Sequence, residues 1–271
     1  MARTAGITSA ANPLFQETRR ATVRGTLTGG GCCVAESFHL LEEALRSGCE
    51  VPAVLAAESA RSAAEAQVRS LPGVRLVALP DNLFQSLADT ETSQGVIALV
   101  KPPLWRVEQL FRDTPLLVVL DRVQDPGNAG AIARSAEAFG ATGIFFLKGS
   151  VSPFNAKTMR ASAGSLFRLP FLHGVETTEA LAACGRYRLD LYAGAAARAS
   201  RKPFAPARAP AGVDLTRPCG FVIGSEAHGV SGEWRAAACG LTIPTVGVES
   251  LNAAVAAGIL LYEARRQRGE P

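Results

Sequence analysis

Residues 125–141 read DPGNAGAIARSAEAFGA and lie between two short apolar runs, LLVVL at 116–120 and GIFFL at 143–147. Asp-Pro-Gly-Asn is turn chemistry, and the alanine-rich stretch behind it has helical composition. An apolar run, a turn, a helix and a second apolar run make a strand–helix–strand unit whose strands are buried on both faces. Arg134 stands apart from this scheme. A structural connection needs no cation there, whereas a site for an anionic substrate does.

The same alternation continues outward. LDLYAG (189–194), GFVIG (220–224) and LTIP (241–244) are further strand-length runs, with helical stretches at 128–139, 155–162, 231–239 and 250–267. The pattern predicts an α/β domain over 114–271 with a mostly parallel sheet, whose ligands bind at the carboxyl ends of the strands. Three glycine-bearing turns follow strands: DPGNAG, IGSEAHGVSG and IPTVGVESLN. Upstream, helix-like runs at 35–48 and 59–71 alternate with PAVLAAE, GVRLVALP and SQGVIALV, which predicts a smaller α/β domain over 1–105. Within it, ANPLFQETRR predicts a helix with Asn12 as N-cap and Pro13 in its first turn. Residues 106–113 form the linker, and 195–212 read as a flexible basic loop.

With 271 residues, 48% of them apolar, the chain can bury a sizeable core. No apolar run reaches the roughly 18–20 residues of a bilayer span, and the N-terminus carries no secretory signal, so a cytoplasmic, membrane-free protein is expected. The six cysteines include no C-x-x-C pair and only three histidines are present, so the thiols are expected to be reduced packing residues and no metal is expected. Residues 1–113 hold 11 Lys+Arg against 12 Asp+Glu, and 114–271 hold 17 against 12, so the net charge of +4 comes from the second part. Arginine dominates, which suits phosphate contacts.

The chain lacks G-x-G-x-x-G at the first turn, a phosphate-loop GK[ST], a G-x-S-x-G and an H-E-x-x-H, which removes dinucleotide-binding, phosphate-loop NTPase, serine-hydrolase and zinc-protease readings. Asn128 taken alone reads as an ordinary helix N-cap. Arg134, about 1.7 turns further on, does not stack on it. Glu226 sits in a glycine-flanked turn in which Gly224 and Gly229 permit close backbone approach or positive φ. In the last motif Ser250 or Glu249 can begin a helix whose stripe Leu251, Val255, Ile259 and Tyr262 reads as core. Its Ala- and Gly-rich face suits a second subunit, and Asn252 has no core explanation.

Taken in order, DPGNAGAIARSAEAFG, FVIGSEAHG and IPTVGVESLNAAVAAGILLYEA resemble the three signature motifs of the SpoU/TrmH family of RNA ribose 2′-O-methyltransferases, over residues 114–268. Residues 1–100 are similar to the ribosomal-protein-like RNA-binding domain that often precedes them. The resemblance implies S-adenosylmethionine as methyl donor, RNA as partner, a homodimer and a deep trefoil knot in the C-terminal domain. Chain threading alone would argue against such a knot. It implies catalytic roles for Asn128, Arg134, Glu226, Ser250 and Asn252, cofactor contacts at Gly224, Ile243 and Leu251, and an RNA contact at Arg160. In this reading Arg134 holds phosphate and stabilises the developing oxyanion, with Asn128 orienting it. Large-subunit ribosomal RNA is the expected target. A transfer RNA target, a base-nitrogen methyltransferase and a non-catalytic RNA-binding protein of the same fold are the alternatives.

Overall fold

The computed structural model describes residues 4–69, 71, 73–194, 207–226, 228–248 and 250–269. The chain divides into two compact units, Met1–Leu104 with Pro153–Arg168, and Trp105–Ser152 with Leu169–Pro271.

In the first unit β1 (Thr4–Gly6), α1 (Pro13–Arg24), β2 (Cys33–Glu36), α2 (Phe38–Arg46), β3 (Glu50–Ala57), α3 (Arg61–Val68), β4 (Arg75–Leu79), α4 (Asp81–Gln85) and β5 (Val96–Lys101) follow one another. The sheet order is β1-β4-β3-β5-β2, with β1, β4 and β3 parallel and β5 antiparallel to both β3 and β2. Asn12 caps α1 as expected, its side chain accepting from Leu14 N at 3.0 Å and Phe15 N at 3.4 Å. Phe15, Leu55, Val77, Leu79, Phe84 and Ile97 form the core, each full burial contributing about 1.5–3 kcal/mol. The expected helix over 35–48 begins only at Phe38. Residues Cys33–Glu36 instead pair with β5 and are wholly buried, so the sheet ladder overrides local helix preference there.

The second unit starts with α5 (Val107–Leu110), β6 (Leu116–Asp121), α6 (Pro126–Ala138) and β7 (Gly143–Leu147). The chain then forms α7 (Ala156–Ser162), which belongs to the first unit, where it packs on β2. A single contiguous domain over 114–271 does not describe this excursion. Back in the second unit come β8 (Phe171–Val175), α8 (Thr177–Arg186), β9 (Asp190–Gly194), β10 (Cys219–Gly224), α9 (Gly232–Ala237), β11 (Cys239–Leu241) and α10 (Ala253–Gln267). The expected basic loop lies mostly outside the described residues.

The second sheet is parallel throughout, in the order β11-β9-β10-β6-β7-β8. All residues of β6 and β7 are buried, which is why these strands read as unbroken apolar runs. Leu117, Val119, Phe145, Val222 and Trp234 form the core on one face. From β6 the chain runs through β7 to β8 on one side, and β9, β10 and β11 fill the other. The order therefore reverses between β6 and β10, and the crevice at their carboxyl ends is where such folds bind ligands.

Two helix starts differ from expectation. Asp125, not Asn128, caps α6, accepting from Asn128 N at 2.7 Å with Pro126 in the first turn. Asn252 itself caps α10, accepting from Ala254 N at 2.9 Å and Val255 N at 3.2 Å. Ser250 precedes that helix, and Glu249 lies outside the described residues. The expected apolar stripe of α10 also points the other way: Val255, Ile259 and Tyr262 are exposed. The buried face is Ala253, Ala257, Leu260, Leu261 and Ala264, because small alanines let α10 settle closely on α6 and β10.

Cys32, Cys33, Cys184 and Cys219 are buried as packing residues, whereas Cys49 is half-buried and Cys239 exposed, which the expectation of core thiols did not cover. Burial pushes the Cys184 thiol up to about 12 and that of Cys219 to about 11, so neither is a thiolate at neutral pH. Among the described residues no helix is long and apolar enough to cross a membrane.

Candidate functional site

The loops after β6 and β10 meet at the switch point. Asp121 and Gly224, the last residues of these strands, are register partners. Asp121 is buried and its carboxylate accepts from Ser231 N at 2.6 Å, tying the end of β6 to the far side of the loop after β10. Sequence reasoning passed over Asp121; its signal is a carboxylate closing the all-apolar run LLVVL.

That loop is drawn tight by two glycines. A Cβ on Gly224 would lie 2.2 Å from the carbonyl carbon of Gly229 and 2.4 Å from Val230 N, so only glycine fits. Gly229 takes φ of +64° and donates to Ser225 O at 2.8 Å, closing a one-turn bend. Glu226 is presented at its tip, and His228 is exposed there.

Three residues, Asn128 lying 98 positions before Glu226 and 124 before Asn252, then join in one hydrogen-bonded chain. Asn252 Nδ2 donates to Asn128 Oδ1 at 2.9 Å, and Asn128 Nδ2 donates to Glu226 Oε1. The direction is fixed from both ends. The contacting oxygen of Glu226 accepts, so Asn128 shows it the NH2; Asn252 spends its carbonyl on the α10 amides, so its NH2 faces Asn128. Each sequence motif supplies one member.

The other expected site residues are placed more loosely. Arg134 is exposed on α6, six residues or about 9 Å along the axis from Asn128, with no hydrogen bond or ion pair among the described residues. Asn128 therefore holds Glu226 and Asn252, not Arg134. Ser250 is exposed, and Ile243 and Leu251 are half-buried at the two ends of the loop between β11 and α10. Among the described residues from Ile243 to Leu251, the one hydrogen bond is Thr245 Oγ1 to Val248 O at 2.8 Å. No partner among the described residues takes up the other peptide groups of this loop, which leaves its donors and acceptors for a ligand. Among the described residues no group of His, Cys, Asp and Glu could hold a metal ion. Arg160 lies in the first unit, engaged by buried Glu36 at 3.2 Å and Asp89 at 2.6 Å.

A doubly wound parallel unit with an amide–carboxylate chain at its switch point defines an α/β protein of the class whose members bind ligands at the strand ends. The family model described as SpoU rRNA Methylase matches residues 115–262, and the chain belongs to that family. A second model, the MRM3-like substrate binding domain, matches residues 28–98. An uncharacterised tRNA/rRNA methyltransferase of Synechocystis is 32% identical, with 97% of this chain and 94% of the relative covered. The 23S rRNA (guanosine(2553)-2′-O)-methyltransferase RlmP of Bacillus subtilis is 27% identical over 96% of this chain and 98% of its own. The crystal structure of the SpoU methyltransferase AviRb from Streptomyces viridochromogenes with AdoMet superposes with a TM-score of 0.79 at 27% identity, covering 95% of this chain and 99% of that one.

Proposed function

We propose that the protein transfers a methyl group from S-adenosylmethionine to a ribose 2′-hydroxyl of 23S ribosomal RNA. The observation that carries this reading is the chain Asn252–Asn128–Glu226 at the switch point of a SpoU-family domain. The Bacillus relative is named for that reaction on 23S rRNA, the Streptomyces relative binds AdoMet, and the front domain matches a substrate-binding model.

A ribose hydroxyl is a weak nucleophile, and the bound sulfonium supplies an electrophilic methyl. What the protein must add is alignment, worth up to about 7–11 kcal/mol in favourable cases, and stabilisation of the oxygen as it loses its proton. Gly224, Ile243 and Leu251 would hold the donor, the last two through the open peptide groups of their loop. Asn128, Glu226 and Asn252 lock the three bends together, and Ser250 borders the same loop. Arg134 would hold the RNA phosphate and the developing oxyanion with its guanidinium fork. A guanidinium does not deprotonate at neutral pH, so phosphate or water takes the proton.

The chain is further read as a homodimer through Val255, Ile259 and Tyr262, the exposed apolar residues of α10. The stretch from β10 to α10 is read as threaded into a trefoil knot, and the protein as cytoplasmic, beside its ribosomal substrate. Arg160, paired as it is, is retained as an RNA neighbour only through its exposed quarter. Labelled methyl donor and protein-free ribosomal RNA test the central reading. Label in alkali-resistant dinucleotides is expected. Label on a base, or transfer to transfer RNA alone, overturns it.

A further inference from the structure

The charge count of the front domain is balanced, yet its arginines are not evenly spread. Arg19, Arg20 and Arg24 are all exposed on α1, together with Val23, which is 78% exposed. At 100° per residue these four positions fall within about 140° of arc. Arg20 and Arg24 are just over one turn apart, about 6 Å along the axis. The opposite face of the helix, Phe15, Thr18, Ala21 and Thr22, is sunk in the core, so the arginine face is held outward. Among the described residues none of the three arginines has a hydrogen bond or an ion pair. Three other arginines of this unit are matched, Arg46 with Glu42 and Glu43, Arg61 with Glu58 and Glu65, and Arg160 with Glu36 and Asp89. Arg69 and Arg75 are also exposed, but among the described residues of this unit only α1 gathers several on one helix face. The nearest acid on α1, Glu17, accepts from Gly30 N at 3.2 Å.

We propose that this face of α1 is a phosphate-binding surface for the backbone of the RNA substrate. It rests on the reading of the protein as an RNA methyltransferase and adds where the front domain holds the strand. Arginine forks suit phosphate oxygens, and three cations with no ion-pair partner among the described residues break no such pair on binding. An anionic membrane is a poorer occupant, because the apolar face of the helix is already buried and cannot insert. The contact is to backbone, so it grips without reading sequence.

Binding of protein-free 23S ribosomal RNA, measured from about 50 to 200 mM salt, tests it with the full chain and the triple variant R19A/R20A/R24A. Three lost contacts at about 0.7 each should lower the slope of log affinity against log salt by about 2. Over a fourfold salt range that is a change of about 16-fold in the affinity ratio of the two proteins. The exchange to three lysines should keep most of the slope, and affinity for the methyl donor should be unchanged. Equal slopes and affinities for wild type and triple variant overturn the assignment of α1 while leaving the methyltransferase reading intact. A wild-type protein that binds no RNA overturns both. The arginines are exposed, so an unaltered thermal melt shows that the variants are folded.

Discussion

Asn252 and Asn128 are joined amide to amide at 2.9 Å across 124 residues, and the same Asn252 side chain caps α10. One asparagine thus starts a helix and fixes the position of a second asparagine in the first turn of another. Through Asn128 the link runs on to Glu226, so the three bends cannot move independently without breaking a hydrogen bond.

Replacing Asn128 by Asp tests that link. The exchange keeps shape and sets a second carboxylate against Glu226. Two carboxylates at this spacing repel unless they share a proton, and sharing raises the apparent pKa of the pair. Methyl transfer should fall about 100-fold near neutral pH, the scale of a misplaced site. It should recover partly as pH falls through the raised pKa, where one proton restores the bond. A pH–rate profile parallel to that of wild type would remove the hydrogen-bonded chain from the mechanism.

Gly224→Ala should be among the most costly single exchanges. The added methyl would sit 2.2 Å from the carbonyl carbon of Gly229, against backbone and not a side chain that can swing aside. The loop carrying Glu226 must then shift, at a cost of about 3 kcal/mol or more. Thermal unfolding and calorimetric titration with the methyl donor should show lower stability and weaker binding together. Unchanged donor affinity would separate this bend from the donor site.

The fold of the second unit was legible because its strands are buried on both faces and so appear as uninterrupted apolar runs. β8 was not, since FLHGV places histidine and glycine in an edge strand that is only partly buried. The α10 stripe misled for a related reason. Periodicity marks an apolar face but not whether this chain covers it, and alanine packs as well as leucine where helices approach closely. Asn128, Glu226 and Asn252 stood out as candidate site residues, but that they touch one another follows only from the sheet order, which brings the turn of Asn128 to turns about a hundred residues further on. Arg160 shows the opposite limit. A basic residue in a polar motif reads as a ligand contact, while its partners Glu36 and Asp89 lie 124 and 71 positions away.

Arg160→Ala measures how far that arginine is structural. Glu36 is 3% exposed and would keep its bonds from Asp89 N at 2.9 Å and Thr90 Oγ1 at 2.6 Å. The loss should therefore fall below the about 3–5 kcal/mol of a fully stranded buried charge, at roughly 2 kcal/mol. Pairing the exchange with Glu36→Gln should recover part of it in a double-mutant cycle. Full stability with weakened RNA binding would instead mark Arg160 as an RNA contact.

Arg134 offers the cleanest separation of catalysis from folding. It is exposed and has no partner among the described residues, so Arg134→Ala should alter stability by no more than about 0.5 kcal/mol. If its guanidinium meets the phosphate and the developing oxyanion, kcat should fall about 100- to 1000-fold, as for loss of one preorganised donor. Affinity for the methyl donor should stay unchanged. Arg134→Lys keeps the charge but not the planar fork, and should restore only a small part of the rate. Single-turnover methylation of ribosomal RNA, with donor binding measured in parallel, distinguishes the cases. Near-wild-type turnover in the lysine variant would mean that charge alone suffices and that two-point recognition is absent. Weaker donor binding in the alanine variant would instead place Arg134 against the cofactor.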